Sequence, residues 1–153
     1  MESGAVGRPV VSGVRVGLTS RDRWDRISKA TLGGVAAAIA LLVVGVPRVD
    51  LHGPLHYLGV MDPFCGGTRA MFLLLSGHPA EAATYNPIVF PLAAMTVLAI
   101  VRIGVGWSTG RWVDVRLSRN WRRALIAVCI LALAALEIRQ QLHADLLMQA
   151  WNR

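Results

Sequence analysis

Residues 30–46, ATLGGVAAAIALLVVGV, form an unbroken apolar run without a single charged side chain. A run of this kind buries itself in lipid or in the centre of a large protein. A chain of 153 residues is too short to surround several such helices. At a rise of ~1.5 Å per residue, the run nearly crosses a hydrocarbon core ~30 Å thick once a few flanking residues are added. The Gly33-Gly34 pair and Ala36, Ala37 and Ala38 give it a small-residue face suited to close helix packing. Two further runs follow. Residues 87–105 carry Pro87 and Pro91, which a membrane helix tolerates near its end or beside neighbours. Residues 124–140 form the third run, extendable to Leu142. The expected fold class is therefore all-α: an integral membrane helical bundle of about three transmembrane helices, with a short re-entrant or interfacial helix besides.

Composition agrees. Hydrophobic residues make up 54% of the chain and charged residues only 16%, where a soluble domain carries about a quarter. The net charge of +7 comes almost wholly from arginine, clustered rather than spread. No basic stretch is interleaved with aromatics as a nucleic-acid groove requires, so membrane lipids are the expected anionic partner and nucleic acid is not. The two cysteines, Cys65 and Cys129, do not make a disulfide framework, and no secretory cleavage site follows the first run.

The distribution of basic residues predicts an orientation. Six (Arg8, Arg15, Arg21, Arg23, Arg26, Lys29) precede the first run, and Arg48 and Arg69 follow it. Six more (Arg102, Arg111, Arg116, Arg119, Arg122, Arg123) lie around the second loop, and Arg139 and Arg153 close the chain. This pattern places the N-terminus and loop 106–123 in the cytoplasm, and loop 47–86 and the C-terminus outside, in a multi-pass protein of the cell membrane. Residues 1–23 read as a flexible cytoplasmic tail and residues 24–153 as a single membrane domain. Arg111, Val115 and Arg119, with Trp107, Trp112 and Trp121, suggest an amphipathic interfacial helix anchoring loop 106–123. Residues 142–151, with Leu142, Leu146, Leu147 and Trp151 at helical spacing, suggest another interfacial piece.

Chemistry concentrates in Asp62-Pro63-Phe64-Cys65-Gly66-Gly67-Thr68-Arg69. A short helix is expected over 69–76, with Thr68 as N-cap and Gly77 as stop, and a second from Pro79 towards Asn86. Asn86-Pro87 reads as a cap and first-turn proline for the second span, with a weaker possibility of a catalytic Asn86. The segment resembles the prokaryotic domain-of-unknown-function 2752 family of small membrane proteins. The pattern is Cys-Pro-x-Cys-Gly-x-Thr-Arg, an apolar stretch, a glycine, alanines and Asn-Pro. Pro63, Cys65, Gly66, Thr68, Arg69, Ala70, Gly77, Ala82 or Ala83 and Asn86-Pro87 match it. The resemblance implies a multi-pass membrane protein and lends no substrate. Asp62 stands where that pattern has its first cysteine, which removes a Cys-x-x-Cys disulfide.

Three readings of the motif stay open. Cys65 acts as a nucleophile or redox thiol, at a helix start beside Arg69, with His52, His56, His78 and His143 as neighbouring bases. Alternatively Gly66, Gly67, Thr68 and Arg69, with Asn86, bind an anionic lipid group at the helix start or a partner helix. In the third, the glycines make a turn, Thr68 caps, Cys65 packs, and Arg69 pairs structurally with an acid such as Glu137. His52 and His56 with Asp62 and Cys65 form a weak metal pattern broken by Gly53 and Pro54, so neither metal nor cofactor is expected. Cys129, about six residues and roughly 9 Å into the third run, is expected to be a packed residue. A non-enzymatic membrane component is the leading expectation. A small membrane enzyme using Cys65 and an accessory subunit of a larger complex are the alternatives, and homo-oligomers or membrane-protein partners are compatible with all three.

Overall fold

The structure is a computed structural model that describes residues 10–11, 13–46 and 60–149. The elements in order are β1 (Val10–Val11), β2 (Val14–Thr19), α1 (Asp25–Val44), α2 (Gly67–Leu75), α3 (Pro79–Tyr85), α4 (Val89–Thr109), β3 (Trp112–Leu117), α5 (Arg119–Leu142) and α6 (Ala144–Met148). The fold is mostly helical, and α1, α4 and α5 are each long and apolar enough to cross a membrane. His52, His56, Pro47, Arg48 and Trp151 lie outside the described residues.

Local chemistry sets the helix ends. α1 starts ahead of its apolar run because Asp25 favours a helix N-terminus and pairs with Lys29 one turn on, at 2.9 Å. It stops at Gly45, whose φ of 83° only glycine adopts readily. α4 runs four residues past its expected end, to Gly110 in the left-handed region. α5 begins where the Ser118 hydroxyl accepts from the Trp121 N–H. α2 closes with a Schellman arrangement: the His78 N–H reaches the Leu73 carbonyl, the Gly77 N–H that of Leu74, and Gly77 has φ 83°. Pro79 then opens α3.

Two stretches depart from expectation. Residues 14–19, read as part of a flexible tail, and residues 112–117, read as part of an interfacial helix, are strands. They pair antiparallel from Val14↔Leu117 to Thr19↔Trp112 in a sheet ordered β1-β2-β3. Alternation decides this. Val14, Val16 and Leu18 face Leu117, Val115 and Val113, a period of two in β-branched and aliphatic residues. The four-residue spacing of Arg111, Val115 and Arg119 imitated a helix at only three positions.

An arginine fastens the sheet to the helices. Arg102 of α4 donates from Nε to the Val113 carbonyl (2.8 Å), from Nη2 to Asp22 (2.8 Å) and from Nη1 to Ser28 Oγ (3.3 Å). Its guanidinium lies between the rings of Trp24 and Trp112, 5.0 and 5.4 Å from their centroids. Asp22 also accepts from the Trp24 N–H and the Ser28 hydroxyl. Burial pushes its pKa up, but the Arg102, Ser28 and Trp24 hydrogen bonds and the Arg102 charge outweigh burial and hold it below 3.8.

Among the described residues, the buried clusters lie at one end of the molecule and the sheet joins the helices at the other. Ala70, Leu73, Ala82 and Val89 form one buried cluster where α2, α3 and the start of α4 meet; Met61, Cys65 and Leu147 form another beside it. The middles of the long helices keep side chains such as Met95, Leu98 and Leu131 nearly two-thirds exposed or more. That surface suits acyl chains, since water would be in contact with it over the full length of each helix. Cys129, expected to be packed, is exposed on α5: among the described residues α5 meets its neighbours mainly at its ends, through β3 and α6.

Candidate functional site

The motif folds as two overlapping turns. Asp62 Oδ1 accepts from the Phe64 N–H (2.8 Å), the Asp62 carbonyl from the Cys65 N–H (3.0 Å), and the Phe64 carbonyl from the Gly67 N–H (2.8 Å). Asp62, in the place of a cysteine, thus acts as a turn residue. Gly66 sits at φ 74°, ψ −1° and its carbonyl receives the first α2 hydrogen bond, from Ala70. It therefore occupies the cap position expected for Thr68, and the Thr68 side chain makes no capping bond. A Cβ on Gly66 would sit 2.6 Å from Leu147 Cδ2 and 3.4 Å from the Tyr85 carbonyl oxygen, so both conformation and space demand glycine. Gly67 has open space around its Cα.

Two buried amides hold the turn. Asn86 Nδ2 donates to the carbonyls of Pro63 and Cys65, both at 3.0 Å, while its Oδ1 accepts from the Ile88 N–H. Gln140 Nε2 donates to the Cys65 carbonyl at 2.7 Å and the Tyr85 carbonyl at 3.1 Å. Both residues are wholly buried, and each carbonyl so satisfied would otherwise be a costly orphan away from water. The neighbours of Gln140 extend the clasp. Arg139 donates from Nη2 to the carbonyls of Ala83 and Thr84 at the end of α3, and Gln141 Oε1 accepts from the Met61 N–H. Sequence reasoning missed this Arg139-Gln140-Gln141 trio. Its signal was three consecutive polar side chains closing an apolar helix.

The Cys65 side chain turns into the cluster with Met61 and Leu147, its Sγ 3.5 Å from Met61 Sδ, and the residue is 3% exposed. A nucleophile or redox thiol has to meet its reaction partner, and this one is covered. Arg69 is half-buried and donates from Nη1 to the Leu147 carbonyl at 3.2 Å, a cation on the last turn of α6. Glu137, expected as its partner, is exposed on α5; the α5 side chains that engage the loop and the end of α3 are Arg139, Gln140 and Gln141, two to four positions further on. The structure thus brings Cys65, Gly66 and Asn86 into one knot, and carries Arg69 to α6. Gly67 and Thr68 instead face an open apolar groove of about 610 Å³, lined on its other wall by Gly34, Ala37, Ala38 and Leu41 and floored by Met71. Among the described residues, no buried side-chain nitrogen or oxygen lacks a hydrogen-bond partner.

Residues 54–100 match the family model described as protein of unknown function (DUF2752). This segment belongs to that family. The DUF2752 match holds the whole turn, α2, α3 and the first half of α4, and with them every motif residue from Pro63 to Pro87. The clasp residues of α5 fall outside it. Comparison with curated proteins finds no match, and comparison with solved structures finds none.

Proposed function

We propose that this protein is a non-enzymatic membrane component in which the Cys65–Arg69 turn is a fixed junction and the groove beside it receives a partner membrane helix. The observation that carries this reading is the closure of the turn: its thiol is covered and its carbonyls are taken up by Asn86 and Gln140. What the turn leaves open is the apolar groove, whose α1 wall offers Gly34, Ala37 and Ala38, small residues that let a second helix approach closely. Thr68 on its wall, with Arg69 next in sequence though directed to the Leu147 carbonyl, also suits the headgroup of an anionic lipid whose chain lies along the same wall.

Mass spectrometry of protein and lipid retained after mild detergent extraction separates these occupants. Ala37→Phe fills the groove and is expected to shed the retained protein, whereas Cys65→Ser keeps it. Retained lipid that disappears with Arg69→Ala, with no protein retained, assigns the groove to lipid. A Cys65→Ser variant that folds with unchanged thermal stability yet loses the cellular phenotype of the wild type restores thiol chemistry and overturns the proposal.

A further inference from the structure

Cross-strand partners share a sheet face, so the β2–β3 register sorts twelve side chains into two groups. Val14, Val16, Leu18, Val113, Val115 and Leu117 occupy one face; Arg15, Gly17, Thr19, Trp112, Asp114 and Arg116 occupy the other. In a water-soluble protein the aliphatic face turns inward. Here the polar face does. The Trp112 ring lies over Gly106 of α4, where a Cβ would sit 2.4 Å from it, and Asp114 is 6% exposed. None of the six aliphatic residues is buried, and Val16, Leu18 and Leu117 are 41%, 61% and 39% exposed.

The position of this face identifies what covers it. After Thr109 the chain turns at Gly110 and runs back along α4, so Trp112 meets Gly106 and the Val113 carbonyl meets Arg102. Arg102 precedes the end of α4 by about two helical turns, or ~10 Å. The sheet therefore lies level with the final turns of an apolar helix of membrane length, with its aliphatic face turned away from that helix. Exposed arginines flank the strands: Arg21 follows β2, Arg111 precedes β3 and Arg119 follows it; Arg15 and Arg116 lie on the opposite face, where Arg116 pairs with Asp114. An aliphatic face flanked by cations at its strand ends, at that depth, complements the boundary between anionic headgroups and acyl chains.

We propose that the Val14–Leu18 and Val113–Leu117 aliphatic face is a membrane-docking surface that inserts into the headgroup–acyl boundary of an anionic bilayer. It rests on the membrane placement of α4 and α5 and is independent of what fills the α1–α2 groove. The surface acts as a β-sheet float, fixing how deep this end of α4 sits.

Nitroxide labels test this in the full chain carrying Cys129→Ser, reconstituted into vesicles of phosphatidylcholine and phosphatidylglycerol. Labels go on Leu18→Cys and Leu117→Cys, with Leu98→Cys as a reference within α4 and Ser20→Cys as a reference in water. The expected result is an accessibility to oxygen over aqueous nickel chelate several-fold higher at 18 and 117 than at 20, and approaching that at 98. Labels at 18 and 117 as accessible to nickel as the one at 20 overturn the proposal. Spin–spin broadening at 18 that vanishes on dilution with unlabelled protein also overturns it, by assigning the face to a second copy. A label at 98 that is itself nickel-accessible removes the membrane placement, and the proposal with it.

Discussion

Gln140→Ala is the substitution that most directly probes the knot around Cys65. It deletes two donated hydrogen bonds, to the Cys65 carbonyl at 2.7 Å and the Tyr85 carbonyl at 3.1 Å. Each contributes about 1 kcal/mol net. The lost side chain also leaves space at a wholly buried position, for which roughly a further 1 kcal/mol is expected after partial collapse. The sum, about 3 kcal/mol, lowers the free energy of locally opening the turn and corresponds to ~100-fold in the open population. The reporter is Cys65 itself. In a Cys129→Ser background it is the one remaining thiol, and 3% exposure makes its labelling depend on opening. Thiol labelling in detergent should therefore accelerate about a hundredfold in Gln140→Ala, in proportion to the opening equilibrium. Gln140→Met, which keeps the volume and loses the bonds, should accelerate it about thirtyfold, reflecting roughly 2 kcal/mol. Labelling of Gln140→Ala at the rate of the parent, with helix content unchanged, would refute the view that this amide closes the turn.

Adjacent glycines should behave oppositely. Gly66→Ala adds left-handed strain and a clash with Leu147 and is expected to destabilise by about 2 kcal/mol, while Gly67→Ala, with open space at the first position of α2, should be neutral or slightly stabilising. Thermal unfolding of the two variants side by side checks this, and equal melting temperatures would contradict it. At the sheet end, Asp22 has its pKa held below 3.8, so its contribution is complete above the unfolded value and is lost as pH falls through the lower folded value. Near-ultraviolet circular dichroism of Trp24 and Trp112 should accordingly change on acidification below about pH 3.8, and Asp22→Asn should flatten that transition.

Three long apolar helices were legible because hydropathy is a local property: each run announces itself without reference to the rest of the chain. The short helices α2 and α3 were legible for the same reason, through Gly77 and Pro79. The sheet was not. Residues 14–19 show only three aliphatic positions among one arginine, one glycine and one threonine, and their partners lie about a hundred positions later, so neither strand has a visible reason to pair. At the motif, the glycine turn could be read from residue type, because glycine constrains the backbone where it stands; Asn86, expected to cap the second span, instead ends α3 and clasps the turn, while α4 is capped at Ile88. That Cys65 faces inward, that Arg69 reaches α6 and that Gln140 is the second clasp depend on where α5 ends. Glu137 was a reasonable partner for Arg69 by depth, but helix phase turned it outward and brought Arg139, Gln140 and Gln141 to the loop.

Several contacts that close the packed ends join an early segment to a late one. Cys65 waits for Gln140, Met61 for Gln141, Arg69 for Leu147, and β2 for β3. A chain emerging N-terminus first can complete its sheet once β3 is made, but holds the turn around Cys65 incompletely covered until the third long helix and α6 follow. That helix, bare along its middle and engaged at both extremities, is the staple that completes the molecule. Premature termination before residue 139 would strip the Cys65 thiol of its Leu147 cover and leave the Cys65 carbonyl to Asn86 alone.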